Sequence, residues 1–416
     1  MRLTRRSLLS GGAALGAGAA LGLRPRPAVA AAPDRKFLFF FASGGWDTTT
    51  VLDPHFDSGG VDMDPDTFLG SAGNLRWTAG TDRPNVSRFF QRWGGRTCIV
   101  NGIDVHSVGH DSAMQFVMTG TSASSFADWP TLLASHGQAS YPLPHVVFSG
   151  PSYAGTNGAS LVRAGGGTLL ELVDGSILGS ADEPVPVPAQ PANALVDAFV
   201  YDRVASFASG RTGAAAIRAE GLRTNLSRAM EIEGRAFEAG LSDLGRTVLD
   251  QAIQASELFR LGLSRCAMIQ VDGGYDTHGD ITQQAPQQDT FYAVLDELMD
   301  HLARTPGDNA ARLLDEVVIV ALSEFGRTPL LNGGGGKDHW PYLSALLVGS
   351  GVAGNRMVGA TDDELIAQSI DFSTGQASSS GDRLACENLG TALLSLGGLD
   401  PEEHLPGVQV LEAVLG

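Results

Sequence analysis

Lys36 begins the run KFLFFFA, which is followed at once by Ser43-Gly44-Gly45. Six consecutive apolar residues without alternation cannot form a strand with one wet face. They predict a strand buried on both sides that ends in a tight turn. Runs of the same character recur at Thr97 to Asn101 (TCIVN), His145 to Ser149 (HVVFS), Cys266 to Val271 (CAMIQV), Val317 to Leu322 (VVIVAL) and Leu343 to Val348. Helical patterns lie between them. Residues 194–263 are rich in Ala, Leu, Arg and Glu, and Thr290 to Ala303 carries an apolar stripe at Phe291, Leu295, Leu298 and Leu302. A helix over Glu387 to Leu396 closes the chain. Buried strands alternating with helices predict an α/β fold, a mostly parallel central sheet with helices on both faces. Ala181 to Pro191, with four prolines, reads as a linker. We read residues 31–416 as one domain with a helical insertion at about 190–263.

The first thirty residues stand apart. Arg5 and Arg6 lie in TRRSLL, a weakly apolar Gly/Ala stretch runs from Ser10 to Leu23, and Ala28-Val29-Ala30 offers a small-x-small cut after Ala30. This resembles a twin-arginine (Tat) export signal, which implies passage through the Tat translocase to a periplasmic or secreted location. The apolar stretch is shorter than the roughly 20 residues a membrane span needs, so no stable span is expected once the signal is removed. The glycine pattern at 16–22 precedes every strand and is not a dinucleotide fingerprint.

Charge narrows the partners. The chain holds 46 acidic and 28 basic side chains, a net −18. Loss of a signal carrying five arginines and no acid leaves −23. Such a surface excludes a nucleic-acid backbone or an anionic membrane as the main partner. Three cysteines, Cys98, Cys266 and Cys386, are too scattered for a disulfide scaffold or a CxxC zinc site.

In open α/β sheets chemistry gathers beyond the carboxyl ends of strands. GGWDTTT places Asp47 after the first strand, DGGYDTHGD places Asp272, Asp276 and His278 after CAMIQV, and SEFGRT places Glu324 and Arg327 after VVIVAL. Lys337-Asp338-His339 lies just ahead of the next strand, and His106, His110 and Ser112 follow TCIVN. Carboxylates and imidazoles together suit Zn²⁺, Mn²⁺ or Mg²⁺. Other features read as structural: His55, His136, His145, His301 and His404 as core histidines, Gly333 to Gly336 as a flexible loop, and Asp62, Asp64 and Asp66 as a solvated acidic loop.

The order of these motifs resembles the alkaline phosphatase/sulfatase superfamily, and within it the Tat-exported family of unknown function DUF1501, from about Lys36 to Gly416. VVIVALSEFGRT followed by KDHW parallels the superfamily's strand ending in Ser-Asp-His-Gly and its later histidine. The resemblance implies an alkaline phosphatase-like fold holding one or two divalent ions. The implied metal ligands are Asp47, Asp276, His278, Glu324, Asp338 and His339. The pattern departs at three places. Counting back ten residues from Gly120, where the nucleophile should begin a helix, reaches His110, while Asp111-Ser112-Ala113 lies two residues too near. Phe325 replaces the usual second histidine, and Asp276 and His278 are two apart where four is usual.

The resemblance implies hydrolysis of a small anionic phosphate or sulfate ester. Ser112 or water would attack, His110 would be a general acid or a further ligand, and Arg327 or Lys337 would bind the anionic oxygens. The alternative is an exported binding or assembly protein that keeps the fold and one structural metal without turnover.

Overall fold

The computed structural model describes residues 34–416 except 138, 165–176, 181–182, 187–189 and 234–245. The expected export signal with its cut after Ala30, parts of the expected 181–191 linker and part of the expected helical insertion lie outside the described residues.

Eight strands build the central sheet: β1 (Lys36–Ala42), β2 (Thr97–Asp104), β3 (His145–Val147), β4 (Leu161–Arg163), β5 (Cys266–Gln270), β6 (Val317–Ser323), β7 (Tyr342–Gly349) and β8 (Arg356–Val358). Their spatial order is β8-β2-β7-β6-β1-β5-β3-β4. The phenylalanine-rich β1 lies between β6 and β5, parallel to both, and all seven of its residues are buried. This is the environment its unalternating sequence demands. Helices Pro84–Trp93, Val248–Arg260 and Gln284–Arg304 pack together as one group, and His110–Thr119, Trp129–Ser135 and Cys386–Leu396 as another.

One strand breaks the parallel pattern. β7 runs antiparallel to both neighbours, β6 and β2. Its amino end, not its carboxyl end, therefore lies at the edge where β1, β5 and β6 finish. That reversal is how Lys337, Asp338 and His339, which precede a strand, reach the edge where chemistry gathers. A two-residue ladder pairing Arg327 with His339 and Gly326 with Trp340 fixes the approach.

Three structural expectations change. Gly336 is no part of a loose loop: a Cβ there would overlap the Thr277 and His278 carbonyls. Asn332 N donates to Gly336 O at 2.8 Å, and Ile281 N to Gly335 O at 3.3 Å. Gly336 is the close approach that holds segment 275–278 against segment 337–339, while Gly333 to Gly335 stay exposed. In the expected linker, Glu183–Pro186 pairs with Ile177–Ser180 as a two-stranded ribbon, and the helix Gln190–Ala208 starts inside its last residues. Prolines are tolerated in such an edge strand because they need donate nothing. The acidic loop is also not simply solvated, since Asp64 pairs with buried Arg83 at 2.8 Å.

The helix expected from Thr290 begins earlier, at Gln284. Its first turns carry Gln284 and Gln288, both buried, so apolar periodicity misses them although they face the interior. Gln284 Oε1 accepts from Asp47 N at 2.6 Å, and its amide donates to Gly45 O, Tyr275 O and Thr277 Oγ1 at 3.2, 3.0 and 2.9 Å. A polar helix start thus clamps the turn that follows β1.

His145 is a core histidine as expected, fully buried with Nδ1 bonded to Thr131 Oγ1 at 2.9 Å. Burial holds its pKa down to about 3, so the Asp128 carboxylate 3.9 Å away is a polar neighbour and not an ion-pair partner. The unfolded imidazole takes up a proton below about pH 6.5 and the folded one does not until about pH 3, so acid erodes this contribution across that window. Compared with His145→Gln, the wild-type stability advantage should shrink by about 2 kcal/mol between pH 7 and pH 5. Urea denaturation of the two proteins measures it. Asp128, pushed up to about 6 by its own burial, is present in both and largely drops out of the comparison.

Candidate metal centre

Three histidines and one aspartate converge at the carboxyl edge. Asp276 Oδ1 lies 3.1 Å from His278 Nε2 and 3.1 Å from His339 Nε2, and the two imidazole nitrogens are 2.9 Å apart. His110 Nε2 is 3.6 Å from Asp276 Oδ2. His110, Asp276 and His339 each offer a donor atom within 4.8 Å of the others.

Each ring is held from behind. His110 Nδ1 meets Glu324 Oε1 at 2.9 Å, His278 Nδ1 meets Asp338 Oδ1 at 2.8 Å, and His339 Nδ1 meets Val108 O at 2.7 Å. The Val108 carbonyl can only accept. Glu324 already accepts from Gly44 N and Ser323 Oγ, and Asp338 Oδ1 from Asn332 Nδ2. Nδ1 is thus the natural donor of each ring, and in the neutral imidazole this leaves Nε2, turned toward Asp276, as the acceptor. In that tautomer two lone pairs face each other at 2.9 Å, a contact relieved by a proton shared between the rings or by a cation within reach of both. Metal ligands at 2.0–2.2 Å from an ion stand about 3.0–3.5 Å from one another, so these separations fit a divalent ion. Carboxylate or carbonyl behind each imidazole is the usual outer support of such a centre.

Asp276 is kept ionised. Partial burial pushes its pKa up, but the hydrogen bond and charge of Arg327 work against that, and the carboxyl is held below the ordinary carboxylate range. Arg327 Nη2 donates to Asp276 Oδ1 at 2.9 Å.

The structure redistributes the other expected residues. Glu324 is fully buried and bonds His110, so it orients a ring instead of joining the ligand cluster. Asp338 does the same for His278. Asp47 lies elsewhere, buried in an ion pair with Lys337 Nζ at 2.7 Å and accepting from Thr49 N and Oγ1 at 2.9 and 2.7 Å. This ammonium neutralises Asp47 where a metal was expected to. Lys337 is consequently not free to bind a substrate anion, and neither is Arg327. The guanidinium is wholly buried and donates to Gly44 O, Gly45 O, Tyr275 O and Lys337 O as well as to Asp276. It ties three strand-end turns together.

Ser112 stands third in the helix His110–Thr119. Its hydroxyl bonds Ser107 Oγ at 2.5 Å and Gly109 O at 3.0 Å, which turns it back into its own loop. His110, the first residue of that helix, takes the place beside Asp276. Phe325 packs against His110 and His339 with ring centroids 5.0 and 4.2 Å away, so the residue replacing the usual histidine walls the imidazoles instead of ligating. Val108, Gln284 and Gln288 were missed in the sequence. Val108 acts through its carbonyl and carries no side-chain signal.

An α/β sheet with histidines and an acid gathered at its carboxyl edge defines the class: a mixed α/β protein carrying a set of possible metal ligands. The chain belongs to the DUF1501 family of proteins of unknown function, whose model matches residues 35–411. No curated protein matches it. Among solved structures it is similar to a protein of the alkaline phosphatase superfamily from Vibrio parahaemolyticus, at 11% identity, covering 88% of this chain and 69% of that one, with a TM-score of 0.37. It is also similar to the lipoteichoic acid synthase LtaP from Listeria monocytogenes, at 8% identity, covering 92% of this chain and 76% of that one, with a TM-score of 0.39. Among the described residues no helix is long and apolar enough to cross a membrane.

Proposed function

We propose that this protein is a metal-dependent hydrolase of phosphate or sulfate esters, exported by the twin-arginine route to the periplasm or beyond. The observation that carries the reading is the common orientation of His110, His278 and His339, each with Nδ1 bonded outward and Nε2 turned to Asp276. The strand-end motifs shared with the alkaline phosphatase/sulfatase pattern supply the ester class.

A divalent ion, Zn²⁺, Mn²⁺ or Mg²⁺, would be held by Asp276, His278 and His339 with His110 alongside; when bound it polarises a phosphoryl or sulfuryl oxygen and eases deprotonation of an attacking group. One ion accounts for this donor set, since Asp47 is taken by Lys337. Asp276 brings a fixed negative charge, maintained by Arg327. His110 would accept the attacking group's proton at Nε2 and release it in the steps that follow. Glu324, buried behind it, stabilises the imidazolium formed between these steps. With Arg327 and Lys337 both occupied, charge for the substrate's anionic oxygens has to come from the ion.

The test is metal content in protein purified from its native host, followed by chelation and a screen on aryl phosphates, phosphodiesters and aryl sulfates. We expect one ester class to be hydrolysed, turnover to vanish on chelation and return with metal, and His110→Ala to lower it about 10²–10⁴-fold. Ser112→Ala should be near neutral. A metal-free protein would sink the reading. Metal without hydrolysis of any ester would favour the binding or assembly alternative, which the turned-away Ser112 already recommends.

A further inference from the structure

We propose a second metal site, separate from the first, in which His106, Cys386 and Glu387 bind a zinc ion. The three side chains each place a donor atom within 4.8 Å of the others. His106 Nε2 lies 3.1 and 3.0 Å from Glu387 Oε1 and Oε2, and Cys386 Sγ lies 3.2 Å from Glu387 Oε2. Nitrogen, sulfur and carboxylate oxygen are the donor types zinc takes together, at separations that close about an ion 2.0–2.3 Å from each.

The site is assembled by the fold, not by local sequence. Asp104 ends β2, and the closing helix begins at Cys386. Asp104 bridges to Ala385, and Asp104 N donates to Leu384 O at 2.9 Å, so segments some 280 residues apart are knitted beside the donors. Asp104 also supports His106: its Oδ1 accepts from His106 N at 2.8 Å and faces Nδ1 at 3.6 Å. The ring is thereby left with Nε2 toward Cys386 and Glu387, the acid-behind-imidazole arrangement seen also at the first centre. His106 holds this pose at φ +60°, an uncommon conformation for a residue with a side chain. The thiol is buried while His106 and Glu387 are partly exposed, so a fourth ligand position opens to solvent.

The position gives the site a purpose. Residues between His106 and His110 supply Val108 O to His339 and lead into His110 itself. Zinc bound here would pin the loop that carries the first centre's outer contacts.

Cobalt tests this independently of hydrolysis. Full-length mature protein, stripped by a chelator and titrated with Co²⁺, should develop a thiolate-to-cobalt charge-transfer band in the near ultraviolet. The first centre has no sulfur and cannot produce it. Cys386→Ser should abolish the band, His106→Gln should weaken cobalt binding at this site about tenfold or more, and His110→Ala should leave the band in place. Should Cys386→Ser fail to fold, His106→Gln, at a half-exposed position, still decides the matter. No band in wild type at saturating Co²⁺, a band surviving in Cys386→Ser, or unchanged affinity in His106→Gln overturns the proposal.

Discussion

On the proposed function, Asp276→Asn should leave purification without an ion and with turnover reduced by more than about 100-fold, whereas Asp338→Asn should weaken metal binding only about 10–100-fold. Read as strand-end acids, the two residues look alike. The structure separates them. Asp276 Oδ1 faces two imidazole Nε2 atoms at 3.1 Å, while Asp338 stands behind His278 and only sets its tautomer. Asparagine at 276 keeps the shape, loses the negative charge that Arg327 maintains and offers a poorer donor. At 338 an amide oxygen can still accept from Nδ1–H, so orientation survives in part. Metal analysis of both purified proteins, with thermal unfolding before and after chelation, measures the difference, because an ion bound only to the folded state raises the melting temperature. Equal losses at the two positions would mean that Asp338 ligates after all.

Lys337→Met should destabilise the protein by about 3–5 kcal/mol, and adding Asp47→Asn should restore most of it. Both members of this pair are all but excluded from solvent, with side-chain exposures of 2% and 1%. Removing the ammonium leaves a carboxylate buried with only Thr49 and backbone dipoles to stabilise it. Neutralising both removes the uncompensated charge, which is why the double variant recovers. Denaturant titration of the four proteins gives the coupling directly. Metal content adds a second readout: Asp47→Asn should retain its ion. Loss of the ion there would return Asp47 to the ligand set and argue for a second metal.

The strands and most of the site's members were legible in the chain. KFLFFFA, CAMIQV and VVIVAL announce their burial because nearly every residue is apolar, and the turns after them hold the polar residues that meet at the sheet edge. DTHGD and KDHW were recognisable as donors for the same reason. Their roles were not. A carboxylate at a strand end can point at an ion, support a histidine or pair with a lysine, and sequence spacing is identical in each case. Glu324 and Asp338 became supports, and Asp47 was neutralised by Lys337, a residue 290 positions away. The polar start of the helix at Gln284 was invisible to apolar periodicity, since glutamines that clamp a turn carry no hydrophobic signal.

By itself the sequence determined that a sheet buried on both faces would form, and which side chains its turns would bring to one edge. Local composition suffices for that, because burial and turn formation act over a few residues. Tertiary structure decided the rest: the reversed direction of β7, which delivers His339, and the partner each charged group finds. Those outcomes depend on contacts between segments hundreds of residues apart, where the cost of an unpaired buried charge selects the partner.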